Sequence, residues 1–383
     1  MENTKIGSIS AIFLIISIMI NQICLSFPKN ILSNTGSASL LNIVYISILS
    51  VILVLLVCNL FKRFPGQDIL DISNFLFGKY FKFLVGLSFL IYLLITGGYV
   101  LRHFCEGIKI IYFLKTQIYY ILALFIIAVI MVCKFGDKAI IRSNIFILPV
   151  ILLSILFIFM ANIKIFVPQR MLPILGYGFH KTFIGGLQNL YVLGSFSFLY
   201  FLPSYLKDVK QLKKVSVISI IISCSYLTMC ALTLLLMFPY TLSNEVILPL
   251  YLASRYIEFG TFFQRVDVIF LLVWIWTMVM YLCILIMITI KITQKITIIK
   301  NRNIIIYTFG FIILIVSLIP QNLAQINFFE NTIYKNIILY FVLTICIGIL
   351  ILANIKYVLQ RKKRKNKEGI LLWNIDIVKC LKF

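Results

Sequence analysis

Long apolar blocks alternate along the chain with short charged stretches. About 20 apolar residues suffice for a helix to cross a bilayer, and ten blocks are candidates: 8–27, 38–61, 81–104, 117–134, 143–163, 183–206, 215–239, 265–290, 303–319 and 336–355. The pattern predicts an all-α integral membrane protein, with one polytopic domain over 1–357 and a basic tail over 358–383.

The sixth block, Phe183–Leu206, is apolar enough to span but is interrupted. It carries Gly185-Gly186, Gln188-Asn189, Gly194-Ser195 and Pro203. Each backbone group freed in lipid costs several kcal/mol, so such interruptions survive only beside protein or a wet cavity. This predicts a broken helix lining a small-molecule site. The first block carries Asn21-Gln22, then Ser26 and Pro28. Adjacent amides facing lipid are costly, so at least one should face the interior; an interhelical hydrogen bond would also explain them. In ten spans read as two inverted five-span repeats, blocks one and six are equivalent, and matched interruptions point to a binding site. The third block adds Tyr92, Thr96 and Tyr99 beside Gly97-Gly98, whose small size permits close helix approach. The candidate ligand-binding set is Asn21, Gln22, Ser26, Tyr92, Thr96, Tyr99, Tyr191, Gly194, Ser195, Ser197 and Trp274. Arg102, His103 and Glu106 read as the solvated end of the third span.

Between blocks two and three, Pro65-Gly66 signals a turn. An amphipathic stretch with Phe75, Leu76 and Phe77 follows, which predicts a short interfacial helix or an ordinary loop. Pro149 predicts a kink in block five. Residues 164–181 are loop-like, and Tyr240–Phe263 suits a re-entrant or surface helix. Asp267 at the start of block eight can complement the helix dipole and pair with Arg265, a structural role favoured over ligand contact.

Composition agrees: 62% of the 383 residues are hydrophobic and 12% charged, against about 25% charged in soluble domains. The net charge of +23 does not imply nucleic acid, because the charges fall between apolar runs and in the tail. With the N-terminus inside, most of the 35 Lys and Arg lie on the cytoplasmic side, which predicts both termini cytoplasmic. The tail's Arg361–Lys367 cluster suits anionic lipid. The first block lacks a small-residue cleavage site and reads as a retained span. The nine cysteines show no metal-ligand or disulfide spacing and read as buried thiols. No nucleotide-binding loop, zinc-protease or nucleophile-elbow motif appears. No enzyme, metal or cofactor is expected.

From about Ile9 to Tyr357 the chain resembles the spore germination permease family, the B subunits of germinant receptors, within the amino acid–polyamine–organocation transporter superfamily. The resemblance rests on Arg63-Phe64-Pro65-Gly66 with Phe77-Gly78-Lys79, Leu101-Arg102-His103-Phe104, Ile141-Arg142-Ser143-Asn144 with Leu148-Pro149, and Leu172-Pro173-Ile174-Leu175. It continues through Pro203-Ser204-Tyr205-Leu206, Arg255-Tyr256-Ile257, Phe263-Gln264-Arg265-Val266-Asp267 and Trp274-Ile275-Trp276. It implies a ten-helix LeuT-like fold, a 5+5 inverted repeat with helices one and six discontinuous. It also implies a spore inner membrane location beside A and C subunits, and a role in recognising a nutrient, typically an amino acid, to trigger germination. Relatives usually place a Gly-containing turn where this chain has Asn21-Gln22-Ile23-Cys24, and many place a Glu near Gly194-Ser195. The expected pocket is therefore neutral and hydrogen-bonding. Alternatives are an active amino acid permease and a scaffold subunit with a vestigial pocket.

Overall fold

The computed structural model describes residues 5–242, 248–258 and 266–361. Gly260, Gln264-Arg265 and the basic tail beyond Arg361, on which lipid binding was expected, lie outside the described residues, as does the side chain of Ser195. In chain order the helices are α1 (Ser8–Leu25), α2 (Phe27–Thr35), α3 (Ser39–Phe61), α4 (Ile69–Phe77), α5 (Lys79–Tyr112), α6 (Ile118–Lys134) and α7 (Asp137–Ala161). After an irregular segment come α8 (Leu202–Tyr205), α9 (Leu212–Met237), α10 (Pro249–Arg255), α11 (Asp267–Ile296) and α12 (Arg302–Leu318). A last helical run covers Leu323–Arg361. Seven of the helical runs are long and apolar enough to cross a membrane, and α6 and α12 are shorter apolar helices.

The centre of the bundle is α1. It is apolar almost all round, and every residue from Leu14 to Leu25 is buried, as expected of a helix with no polar face. It packs against α7, α9 and α11, and α5 packs against α11 and α12. At Gly98 a Cβ would overlap the Val316 side chain, so the missing side chain is what lets α5 lie close on α12. The eight cysteines among the described residues are all free and buried.

Of the two expectations for the stretch before α5, a short helix or a loop, the helix forms. Asp68 caps α4 by accepting from Asp71 N at 3.2 Å, while Asp71 Oδ2 accepts from Asp68 N at 3.3 Å. Gly78 (φ +83°) ends α4 and opens α5, a left-handed conformation that suits glycine. Phe77 is exposed, while Leu76 is buried against the bundle.

Several expectations need correction. The first helix does not open at Asn21-Gln22; it breaks at Ser26 (φ −140°, ψ −16°), and α2 carries on to Thr35. Pro28 in the first turn of α2 has no N–H to return to the preceding turn. Arg102, His103 and Glu106 are not a solvated helix end: α5 runs on to Tyr112, all three are buried, and Arg102 pairs with Glu106 at 2.8 Å. The last helical run begins at Leu323 rather than 336, and its first turns carry Glu330 and Lys335 inside the protein.

The sixth block is discontinuous, as its glycines suggested. His180–Ile184 is a π turn, and Gly185–Tyr200 then winds as a 3₁₀ helix for 16 residues. At roughly 2.0 Å per residue that run covers about 32 Å, where an α-helix of equal length would cover about 24 Å. Sixteen overwound residues thus match the ~30 Å hydrocarbon thickness.

Candidate binding site in the bundle core

Two helical periods converge on one small cavity. On α1, Ile18 and Gln22 are one α-turn apart, as are Tyr92 and Thr96 on α5. On the 3₁₀ run, Tyr191, Gly194 and Ser197 recur every third residue. A 3₁₀ helix has three residues per turn, so its i and i+3 side chains eclipse and these three form a single row. Phe27, Leu93, Tyr281 and Tyr334 complete the wall. The free space is about 20 Å³, room for roughly one water.

The lining is neutral and hydroxyl-rich. Tyr92 Oη donates to the Gly194 carbonyl at 3.1 Å, and Thr96 Oγ1 donates to Tyr92 O at 2.6 Å. Gln22 Nε2 donates to Tyr334 Oη at 3.2 Å. Gln22 Oε1 has no hydrogen bond of its own, with Tyr281 beside that side chain. An unpaired buried acceptor costs about 1–3 kcal/mol, and a ligand N–H placed there would recover part of it.

At the Glu330 end the cavity is roofed by a polar lock. Glu330 is 2% exposed. Its Oε1 accepts from Ser26 Oγ at 2.5 Å and from Asn30 Nδ2 at 2.6 Å. The carboxylate thus ties the last helical run to the break between α1 and α2. Asn30 Nδ2 also donates to Tyr191 Oη at 2.9 Å. Lys29 and Lys335 lie within electrostatic range of the same carboxylate, and nearby opposite charge lowers the cost of burying such a group. Above the cavity Tyr99 stacks on Tyr334 (centroids 4.6 Å, 28°), and its hydroxyl meets His103 Nδ1 at 3.0 Å.

At the Lys5 end of the bundle, beyond the cavity, lies a second set of contacts. Ile6 N donates to Tyr205 O at 2.8 Å and Lys207 N to Ile6 O at 3.1 Å. Lys291 Nζ donates to Ser204 Oγ at 2.5 Å and lies 3.3 Å from the Tyr205 ring centroid. Beside them Lys295 pairs with Asp68 at 2.6 Å and Asp71 at 2.7 Å.

Of the expected residues, Gln22, Tyr92, Thr96, Tyr191, Gly194 and Ser197 meet at the cavity. Ser26 and Tyr99 belong to its roof. Asn21 is fully buried but off the cavity wall, with both amide atoms unpaired. Trp274 is also off the wall: it packs on Phe104 (centroids 4.6 Å) and Phe270, and α11 offers Tyr281 to the cavity instead, about two turns further on. Asn189 serves structure, donating to Asn42 Oδ1 at 2.7 Å and accepting from Asn34 Nδ2 at 3.0 Å. Sequence reasoning missed Phe27, Asn30, Tyr281, Tyr334 and Glu330. For Glu330 the signal was available: an acid is scarce here, at 12 Asp and Glu in all, and one bordering a span is a functional candidate by default.

Comparisons with known proteins agree with this architecture. The family described as spore germination protein matches residues 5–326. Spore germination protein B2 of Bacillus subtilis (strain 168) is 20% identical over 283 residues, which is 70% of this chain and 74% of that protein. Among solved structures, MhsT in complex with L-phenylalanine superposes with a TM-score of 0.67 at 14% identity, covering 89% of this chain and 87% of MhsT. A substrate-bound Na+-coupled sialic acid symporter superposes with a TM-score of 0.65 at 9% identity, covering 92% and 79%. Those two likenesses establish a LeuT-type all-helical transporter fold, and these relatives are membrane proteins rather than enzymes. The chain belongs to the spore germination permease family.

Proposed function

We propose that this chain is the nutrient-sensing B subunit of a spore germinant receptor, and that its core cavity receives a small molecule of the amino acid class. One observation carries the reading: the neutral cavity lies where α1, α5 and the overwound segment meet, roofed on one side by Glu330, with the Lys291 and Ile6–Leu206 contacts about 15 Å further along α1. A ligand larger than one water must part a lock to enter. Only differential affinity for the opened arrangement then biases the molecule, and a full switch from 1:99 to 99:1 takes about 5.5 kcal/mol. Gln22 Oε1 and the tyrosine hydroxyls suit an ammonium and a carboxylate without an acid in the lining.

The proposed setting is the spore inner membrane, with both termini cytoplasmic and with A and C subunits as partners. The basic tail would rest on anionic lipid. The second reading, active amino acid transport, is favoured by the fold shared with transporters. The test is a screen of single amino acids on spores of a deletion strain complemented with this gene, together with uptake in vesicles containing the chain. A germination response with saturable binding and no accumulation supports sensing. Ion-dependent accumulation overturns it in favour of transport, and no binding by the isolated chain supports a scaffold role.

A further inference from the structure

A second hollow opens on the outer face of the bundle, between α5 and the last helical run. Its volume is about 650 Å³, and it runs from Phe81 to Ile95 on α5 against Ile349 to Asn336 on its neighbour. Fourteen residues of rise make it about 21 Å long, longer than one leaflet's half of the ~30 Å hydrocarbon core. Both walls are membrane-spanning by length and hydropathy. Three of the polar side chains along it are committed elsewhere: Ser88 Oγ donates to Leu84 O at 2.9 Å, Asn336 Nδ2 to Thr332 O at 2.6 Å, and Tyr92 Oη into the bundle to Gly194 O at 3.1 Å, which leaves the largely exposed Tyr340 as the remaining hydroxyl. A polar ligand finds little to bond there, whereas hydrocarbon loses nothing.

The floor of this groove is also a wall of the core cavity. Tyr92 lines both hollows, its ring 5.6 Å from that of Phe341, which packs on Phe89 at 4.9 Å. The last run is π-wound over Ile338–Ile345, and the Val342 carbonyl accepts from Tyr200 Oη at 2.6 Å instead of serving only its own helix. What fills the groove therefore bears on Phe341, and through Tyr92 on the Gly194 carbonyl.

We propose that the groove between α5 and the last helical run is a resident site for one phospholipid acyl chain, whose occupancy fixes the Tyr92–Phe341 wall of the core cavity. The test uses the full chain in lipid nanodiscs containing a phospholipid with a photoreactive diazirine on its acyl chain, followed by peptide mass spectrometry. The exposed face of α7 (Phe146, Val150, Leu153), which reports ordinary lipid contact, is the internal control. Adducts enriched on the groove over α7, and lost from the groove alone in Ser88→Trp or Ile95→Trp, support the proposal. Equal labelling of groove and α7, or groove adducts unchanged in both folded variants, overturns it. A groove labelled in the isolated chain but silent in native membranes also overturns it, assigning the surface to a protein partner. No germinant is involved, so failure here leaves the assignment of the core cavity untouched.

Discussion

Asn30 and Glu330, 300 residues apart in sequence, meet with Nδ2 and Oε1 2.6 Å apart. The carboxylate pins the Ser26 and Asn30 side chains together across the break in the first helix. Hydrogen bonds to charged groups contribute about 1.5–3 kcal/mol net. Glu330→Gln preserves size but removes the charge. It should lower the melting temperature of the purified chain and make a cysteine placed on the cavity wall easier to alkylate from the Glu330 end. Unaltered melting and unaltered alkylation would show that this lock is idle.

Gly194 lies in the row of cavity residues, and its carbonyl accepts from Tyr92. With room for roughly one water in the cavity, Gly194→Leu fills it. Overpacking of this kind costs about 1–3 kcal/mol. The expected result is loss of the nutrient response at normal membrane abundance, read by germination assay and immunoblot. A full response would move the site elsewhere.

Gly186 faces Asn42 so closely that an added Cβ would overlap its amide nitrogen. That nitrogen donates to Thr182 O at 2.8 Å, and Asn42 Oδ1 accepts from Asn189. Gly186→Ala should destabilise by about 1–3 kcal/mol, and Asn42→Ala should relieve part of that loss. A double-mutant cycle on denaturation midpoints measures the coupling; strict additivity would mean the two residues do not meet.

Asp71 lies outside the spans. Burial tends to raise its carboxyl, but the Lys295 hydrogen bond and charge, with hydrogen bonds from Asp68, hold it below the usual carboxylate value. A depressed carboxylate contributes stability above its unfolded pKa of about 3.9 and loses it as pH falls through the folded value. The wild type should therefore melt above Asp71→Asn near neutrality, with the gap closing as pH drops below 4. A gap that persists or widens in acid would show that the ion pair is not its source.

Much of this site was legible because glycine and amides are conspicuous in an apolar run. Gly194 stood out on composition, with Tyr191 and Ser197 as candidates beside it, while the three-residue period that aligns them appears only with the overwound helix. The Pro65-Gly66 turn and the apolar side of Phe75–Phe77 allowed a helix where α4 lies, with an ordinary loop as the alternative. What stayed hidden has a common physical cause. Tyr281 and Tyr334 are amphipathic, so nothing in apolar runs marks them as facing a cavity rather than a core. Hydropathy placed the start of the last span at 336, just past Glu330 and Lys335. Burial of those charges depends on Ser26, Asn30 and Tyr191, partners far away in the chain. Trp274 misled for the reverse reason: a conspicuous side chain that serves packing.

The winding of Gly185–Tyr200 makes the cavity wall a matter of pitch. Were those 16 residues to relax to 3.6 residues per turn, the run would shorten by about 8 Å. Tyr191 and Ser197, six residues apart, would swing about 120° out of line, since each three-residue step falls about 60° short of a full α-turn. The alignment of Tyr191, Gly194 and Ser197 on the cavity wall therefore depends on the longer, overwound form of the segment.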